Sequence, residues 1–188
     1  GASGGICKEI AKQLVLLDYN LILVSRKIDK LEQVKENILT LPGKGKVYLF
    51  QADLSEKNSA QSIFDYTDRK NFVIDVLVNN AGAGIYGSID ALDKNKFYQM
   101  LMLNTYSMTC LCQLYAQAMK QRKSGFILNI ASLAAYQPVP YIAAYAASKS
   151  YVLNFSEAIA MEVDDYGVAF TCFSPGHTSS NFYCDSDF

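Results

Sequence analysis

The sequence is poor in the features that mark a dedicated surface binder or a stapled scaffold. Its 17 Lys and Arg nearly balance 18 Asp and Glu over 188 residues. No long basic run occurs, which argues against a nucleic-acid or anionic-membrane binder. There is one histidine, His177, and the five cysteines, Cys7, Cys110, Cys112, Cys172 and Cys184, form no C-x-x-C pair. A structural zinc site is therefore not expected, and no metal is assigned. Scattered thiols suit a reducing, cytoplasmic setting better than a secreted disulfide framework. No basic segment followed by an apolar one opens the chain, so no signal peptide is read there. Two long uncharged stretches, Phe97–Met119 and Ser124–Ser148, are interrupted by residues such as Asn104, Gln113, Asn129 and Pro138. They read as elements buried in protein, not in lipid.

What is present is an ordinary globular composition, 51% hydrophobic and 19% charged, sufficient for one α/β domain with a core. Strand-length apolar runs occur at Leu21–Val24, Val47–Phe50, Val73–Val78, Phe126–Ile130 and Val168–Phe173. Helix-length segments alternate with them: about 14 residues after Gly5, then Asp29–Leu39, Ser55–Arg69, Asn95–Arg122 and Ala143–Asp164. Runs apolar on both faces, separated by helices, predict βαβ units and a parallel sheet covered on both sides. Pro42-Gly43-Lys44-Gly45 is a helix-to-strand turn, and no repeat or linker divides the chain, so residues 1–188 read as a single domain.

Several motifs sit at the joints of this pattern. Gly1-Ala2-Ser3-Gly4-Gly5 leads into a helix, and such a turn lets backbone N–H groups and the positive helix end approach a phosphate. Ser25-Arg26-Lys27 follows the second apolar run, where a dinucleotide fold meets the adenine ribose. A solvated basic turn would have the same composition. Asn79-Asn80-Ala81-Gly82 ends a strand with small residues that admit a flat ligand. Tyr145 and Lys149 lie four apart on one helix face, among Ala143, Ala144, Ala146 and Ala147. An ammonium there stabilises a phenolate and makes tyrosine a usable acid or base, with Ser132 at the preceding strand end as a hydroxyl partner. Tyr66 and Lys70 have the same spacing, but in a charged stretch without a serine, and read as a helix end.

Taken in order, Gly-x-x-x-Gly, Asp53, Asn-Asn-Ala-Gly, Asn104, Ser132, Tyr-x-x-x-Lys and Pro175-Gly176 resemble the short-chain dehydrogenase/reductase superfamily, from Gly1 to about Phe182. The resemblance implies an α/β, doubly wound parallel sheet of Rossmann type. The glycine turn would follow its first strand. No strand precedes Gly1 here, so the expectation is a fragment lacking that strand and its C-terminal end. The resemblance further implies that Gly1, Ser3, Gly5 and Ile6 line the pyrophosphate turn. Asp53 and Leu54 would contact adenine, and Asn80, Ala81 and Gly82 would run along the ribose. Pro175, Gly176 and Ser180 would cover the nicotinamide. Ser132, Tyr145, Lys149 and Asn104 would form the catalytic group, Asn104 by kinking its helix and holding a water. Two departures stand out: Cys7 replaces the third motif glycine and reads as a buried thiol, and His177 reads as a loop residue near the cleft.

The implied activity is an NADP(H)-dependent oxidoreductase interconverting a carbonyl and a secondary alcohol. The alternative is a non-catalytic nucleotide-binding or scaffold protein on the same fold. NADP(H) is preferred because no carboxylate stands at Ser25 and Arg26 offers a charged fork for a 2′-phosphate, while NAD(H) remains usable. Tyr136, Pro138, Val139 and Tyr141 suggest an apolar wall near Ser132. The two uncharged helices carry more apolar residues than one core-facing stripe needs. With the resemblance, they imply a homodimer or homotetramer.

Overall fold

A computed structural model describes residues 1–2, 4–176 and 178. In chain order the elements are α1 (Gly5–Leu16), β1 (Leu21–Ser25), α2 (Ile28–Leu39), β2 (Val47–Gln51), α3 (Ser59–Arg69), β3 (Val76–Asn79), α4 (Lys94–Leu101), α5 (Ser107–Arg122), β4 (Gly125–Ile130), α6 (Ala143–Val163) and β5 (Val168–Phe173). The expected alternation of helices and strands is present, and every strand pairing is parallel. The strands form two sheets, β1-β2 and β3-β4-β5.

Between β1 and β3 lies a slot of about 370 Å³, lined by Leu14, Ile22, Val24, Val76, Val78 and Leu111 among others. In a doubly wound order that position belongs to the first strand. The Ala2 N–H donates to the Val24 carbonyl at 3.0 Å, which places the glycine turn at the carboxyl end of β1.

Two cores flank the sheets. Ala11, Val15, Leu23, Leu31, Val34 and Ile38 bury the β1-β2 side. Leu111, Tyr115, Met119, Ile127, Val152 and Val168 bury the larger one. Full burial of one such aliphatic side chain stabilises by about 1.5–3 kcal/mol. Helix α2 shows the link from sequence to packing: Leu31, Val34 and Ile38 recur at three- and four-residue spacing and are its buried face.

Three departures from the periodicity have a visible physical cause. Helix α3 starts at Ser59, not Ser55, because Asp53 Oδ1 accepts from the Ser55 N–H at 2.9 Å and its hydroxyl at 2.7 Å, holding a turn ahead of the helix. Strand β3 starts at Val76, not Val73. Phe72 turns back onto Tyr48, ring centroids 4.7 Å apart, and Val73 is left 66% exposed. The helix expected over Asn95–Arg122 is two α-helices joined by a π-helical turn, Met102–Tyr106. Such turns concentrate at functional sites.

Candidate active site

The chemically competent residues gather at the carboxyl ends of β3 and β4. Ser132 follows β4 and caps the short 3-10 turn Leu133–Tyr136, its Oγ accepting from the Ala134 N–H at 3.2 Å. That turn is held from the far side, where the Leu133 N–H donates to the Pro175 carbonyl at 3.1 Å. Pro175-Gly176 therefore closes over the serine turn, and a Cβ on Gly176 would stand 3.4 Å from the Leu133 side chain.

Tyr145 and Lys149 are both buried on α6. The Lys149 Nζ lies 5.9 Å from the centre of the Tyr145 ring and donates to the Ile130 carbonyl at 2.8 Å. Burial disfavours its charged form and lowers its pKa to about 8, opposed in part by Cys172 nearby. The alanines flanking Tyr145 leave the helix face narrow, as their spacing suggests.

Asn104 sits in the π-helical turn and is almost fully buried. Its Oδ1 accepts from the Ala83 N–H at 2.9 Å, and its Nδ2 donates to the Ala83 carbonyl at 2.9 Å and to Ser148 Oγ at 3.0 Å. Ser148 in turn donates to the Tyr145 carbonyl at 2.7 Å. One relay of hydrogen bonds thus ties the Asn-Asn-Ala-Gly loop to the tyrosine helix. Gly82 is packed into it: a Cβ there would meet Asn104 Oδ1 and Lys149 Nζ, each at 3.4 Å.

A second polar cluster lies behind the strands. Asn129, wholly buried on β4, accepts from Asn79 Nδ2 at 2.8 Å and donates to Ser156 Oγ at 2.9 Å and Met108 Sδ at 3.3 Å. The Asn79 amide also reaches Cys112 Sγ at 3.2 Å, and burial pushes that thiol up to about 12. Sequence reasoning did not single out Ser148, Asn129 or Ser156. For Asn129 a signal existed, a polar residue within the apolar run Phe126–Ile130. Ser148 and Ser156 gave none.

On the cofactor side, Gly1 approaches the loop after β3, where a Cβ would stand 3.0 Å from Asn80 Nδ2 and 3.3 Å from the Ala81 nitrogen. Among the described residues no side chain caps the start of helix α1, and its first turn holds no acidic residue. Its leading N–H groups are available to an anion. Ile6 follows in that first turn, and Cys7 packs on the Ala11–Val15 core as a structural thiol. At the end of β1, Ser25 is nearly buried and its Oγ accepts from the Lys27 N–H at 3.5 Å. The Arg26 side chain is 61% exposed, with its guanidinium 3.7 Å from Asp53. The Leu54 carbonyl accepts from Ser107 Oγ at 2.5 Å, anchoring the Asp53-Leu54 segment on α5. Ser3, His177 and Ser180 lie outside the described residues. Tyr66 packs on Phe50 and Phe72, away from this cleft, and Lys70 caps α3.

The residues assembled here can hold a planar dinucleotide along the strand ends and move a proton at a substrate oxygen. Among the described residues no group of three or more His, Cys, Asp or Glu side chains comes together.

Comparison with known proteins identifies the family and the fold. The sequence matches the short chain dehydrogenase family over residues 1–186. It is 32% identical over 179 residues to a very-long-chain 3-oxoacyl-CoA reductase of Pyrenophora tritici-repentis, covering 92% of this chain and 51% of the relative. It is 31% identical over 177 residues to the mouse 17-beta-hydroxysteroid dehydrogenase type 3, covering 93% of this chain and 57% of the relative. The chain thus spans about half the length of these relatives. Among solved structures, a Sphingobium yanoikuyae short-chain dehydrogenase in complex with NADPH superposes with a TM-score of 0.91 at 26% identity, covering 98% of this chain and 71% of that one.

Proposed function

Because the chain belongs to the short chain dehydrogenase family, we propose that it interconverts a ketone and a secondary alcohol, using NADP(H) in preference to NAD(H). The observation that carries the reading is the convergence of Ser132, Tyr145, Lys149 and Asn104 at the ends of β3 and β4. A non-catalytic binder would need none of these in register.

The cofactor fits the residues present. The N–H groups at the start of α1 would take its pyrophosphate. Gly82, where a Cβ would stand 3.4 Å from Lys149 Nζ, would leave the lysine open to the approach of a ribose. Asp53 and Leu54 would lie along the adenine, and Arg26 would face a 2′-phosphate. When bound, the nicotinamide supplies or accepts the hydride.

The protein's part is the proton and the electrostatics. In reduction Tyr145 gives its phenolic proton to the substrate oxygen, while Ser132 donates a hydrogen bond to the same oxygen. The Lys149 ammonium, close to the ring and shielded from water, stabilises the phenolate that remains. Asn104 holds the π-helical turn open on the path by which the proton is replaced from solvent. The relatives support both parts of the reading. The dehydrogenase in complex with NADPH shares this fold, and the two curated relatives are named as a very-long-chain 3-oxoacyl-CoA reductase and a 17-beta-hydroxysteroid dehydrogenase.

The test is a screen of carbonyl substrates with NADPH and NADH, alongside Tyr145→Phe. The substitution removes the proton and is expected to lower turnover by a factor of roughly 10² to 10⁴, with cofactor binding retained. Turnover equal to the parent's would overturn the assignment.

A further inference from the structure

Two loops meet beside Tyr145 and present aromatic rings that neither the core nor the proton chemistry uses. Ile85, Ile142 and Tyr145 pack in one cluster. The residues adjacent to the isoleucines, Tyr86 and Tyr141, are 55% and 58% exposed, yet their ring centroids are 5.8 Å apart with planes 31° from parallel. The backbone sets that pairing. The Gly87 N–H donates to the Tyr141 carbonyl at 2.9 Å, and Tyr141 has φ 65°.

The other non-glycine residues with positive φ, Asp18, Asn71 and Lys123, stand at the ends of α1, α3 and α5. A left-handed residue there is an ordinary helix stop. Tyr141 instead lies just before α6, where no helix ending requires it. A bulky residue in this conformation persists only where its surroundings over-determine it, and such strain gathers at ligand clamps.

We propose that Tyr86 and Tyr141 form a platform for a large apolar group on the substrate, so that the site selects ketones carrying a ring system or long acyl chain over small ones. The inference rests on the carbonyl–alcohol reading and names its substrate class. Rings 5.8 Å apart leave no room for a third between them, since stacked carbon surfaces need about 3.5 Å on each side. The ligand therefore lies across both rings, with the phenolic groups left in water. Tyr86 follows Ile85 and Tyr141 precedes Ile142, and both isoleucines pack with Tyr145, so the platform borders the cluster that holds the tyrosine.

The experiment compares kcat/KM for a small aliphatic ketone and for a steroid ketone, with NADPH, in the parent, Tyr86→Ala, Tyr141→Gly and the two Tyr→Phe variants. Tyr141→Gly removes ring and strain together, so it does not depend on the chain tolerating alanine in a left-handed conformation. The expected result is a fall of about tenfold to a hundredfold for the steroid ketone, carried by KM, in the Ala and Gly variants. The small ketone should be unaffected and the Phe variants should match the parent. Equal falls for both ketones, or none for the steroid, would overturn the platform. If no ketone is reduced, the oxidoreductase reading fails and calorimetric binding of the steroid ketone decides the platform by itself. Binding weakened by Tyr86→Ala and Tyr141→Gly supports it, while absent or unaltered binding overturns it.

Discussion

Lys149 Nζ donates to the carbonyl of Ile130 at 2.8 Å, on the strand end that leads directly to Ser132. The hydrogen bond ties the ammonium on α6 to the strand that delivers Ser132, so the lysine and the serine turn are held by one backbone segment. Its cost is the burial of a cation. The lysine is buried, and burial lowers its pKa from the ordinary 10.5 to about 8.

The stability consequence has a definite sign. Below pH 8 the lysine is protonated in both folded and unfolded chains, and the folded state bears the full penalty. Between about pH 8 and 10.5 the unfolded chain binds more protons, so stability rises with pH. Lys149→Met removes the penalty and the hydrogen bond together. It is expected to be more stable than the parent near pH 7, by at most about 3 kcal/mol, and to lose that advantage by pH 10.5, while turnover collapses. Urea unfolding of both proteins across this range is the check, and a constant difference would contradict it.

The Arg26–Asp53 contact is exposed and 3.7 Å long, so it adds at most about 1 kcal/mol to the fold. Arg26→Ala should therefore fold normally. Its expected effect is on cofactor choice: NADPH affinity falls by roughly tenfold to a hundredfold and NADH affinity stays put. An unchanged NADPH-to-NADH ratio in fluorescence titrations would show that Arg26 does not read the 2′-phosphate.

Asn129 joins β3, α5 and α6 through its amide. Asn129→Ala opens a cavity and strips the Asn79 amide of its oxygen partner, so a loss of roughly 2–4 kcal/mol is expected. Cys112→Ala, which removes the weaker sulfur contacts to Asn79, Asn129 and Met108, should cost less. Chemical denaturation of the two variants ranks them, and the reverse order would refute the network.

The π-helical turn and helices α5 and α6 leave Tyr106, Tyr151 and Met161 exposed, and Thr109 and Tyr151 share a hydrogen bond of 2.9 Å between the two helices. We expect this face to be covered by a second copy, giving at least a dimer. Light scattering should report twice the chain mass or more, and Tyr151→Glu should shift it toward monomer. A parent protein that is monomeric at all concentrations would rule the interface out.

Much of this protein was determined within single segments. The order of strands and helices followed from apolar spacing, and the positions of Ser132, Tyr145, Lys149, Asn104 and the small residues after β3 followed from motif order, because each motif lies on one element or one turn. Other features depended on where separate elements meet. The π-helical turn at Asn104 is decided by packing between Ala83 and Ser148, which no helical period in Asn95–Arg122 records. The late start of α3 is decided by a side chain outside that helix, Asp53. The Asn79–Asn129 bond and the Tyr86–Tyr141 pair join residues remote in sequence. Periodicity reports which face of a segment avoids water; it carries no information about which polar group on another segment will lie within hydrogen-bonding distance, and only the packed tertiary structure sets that distance.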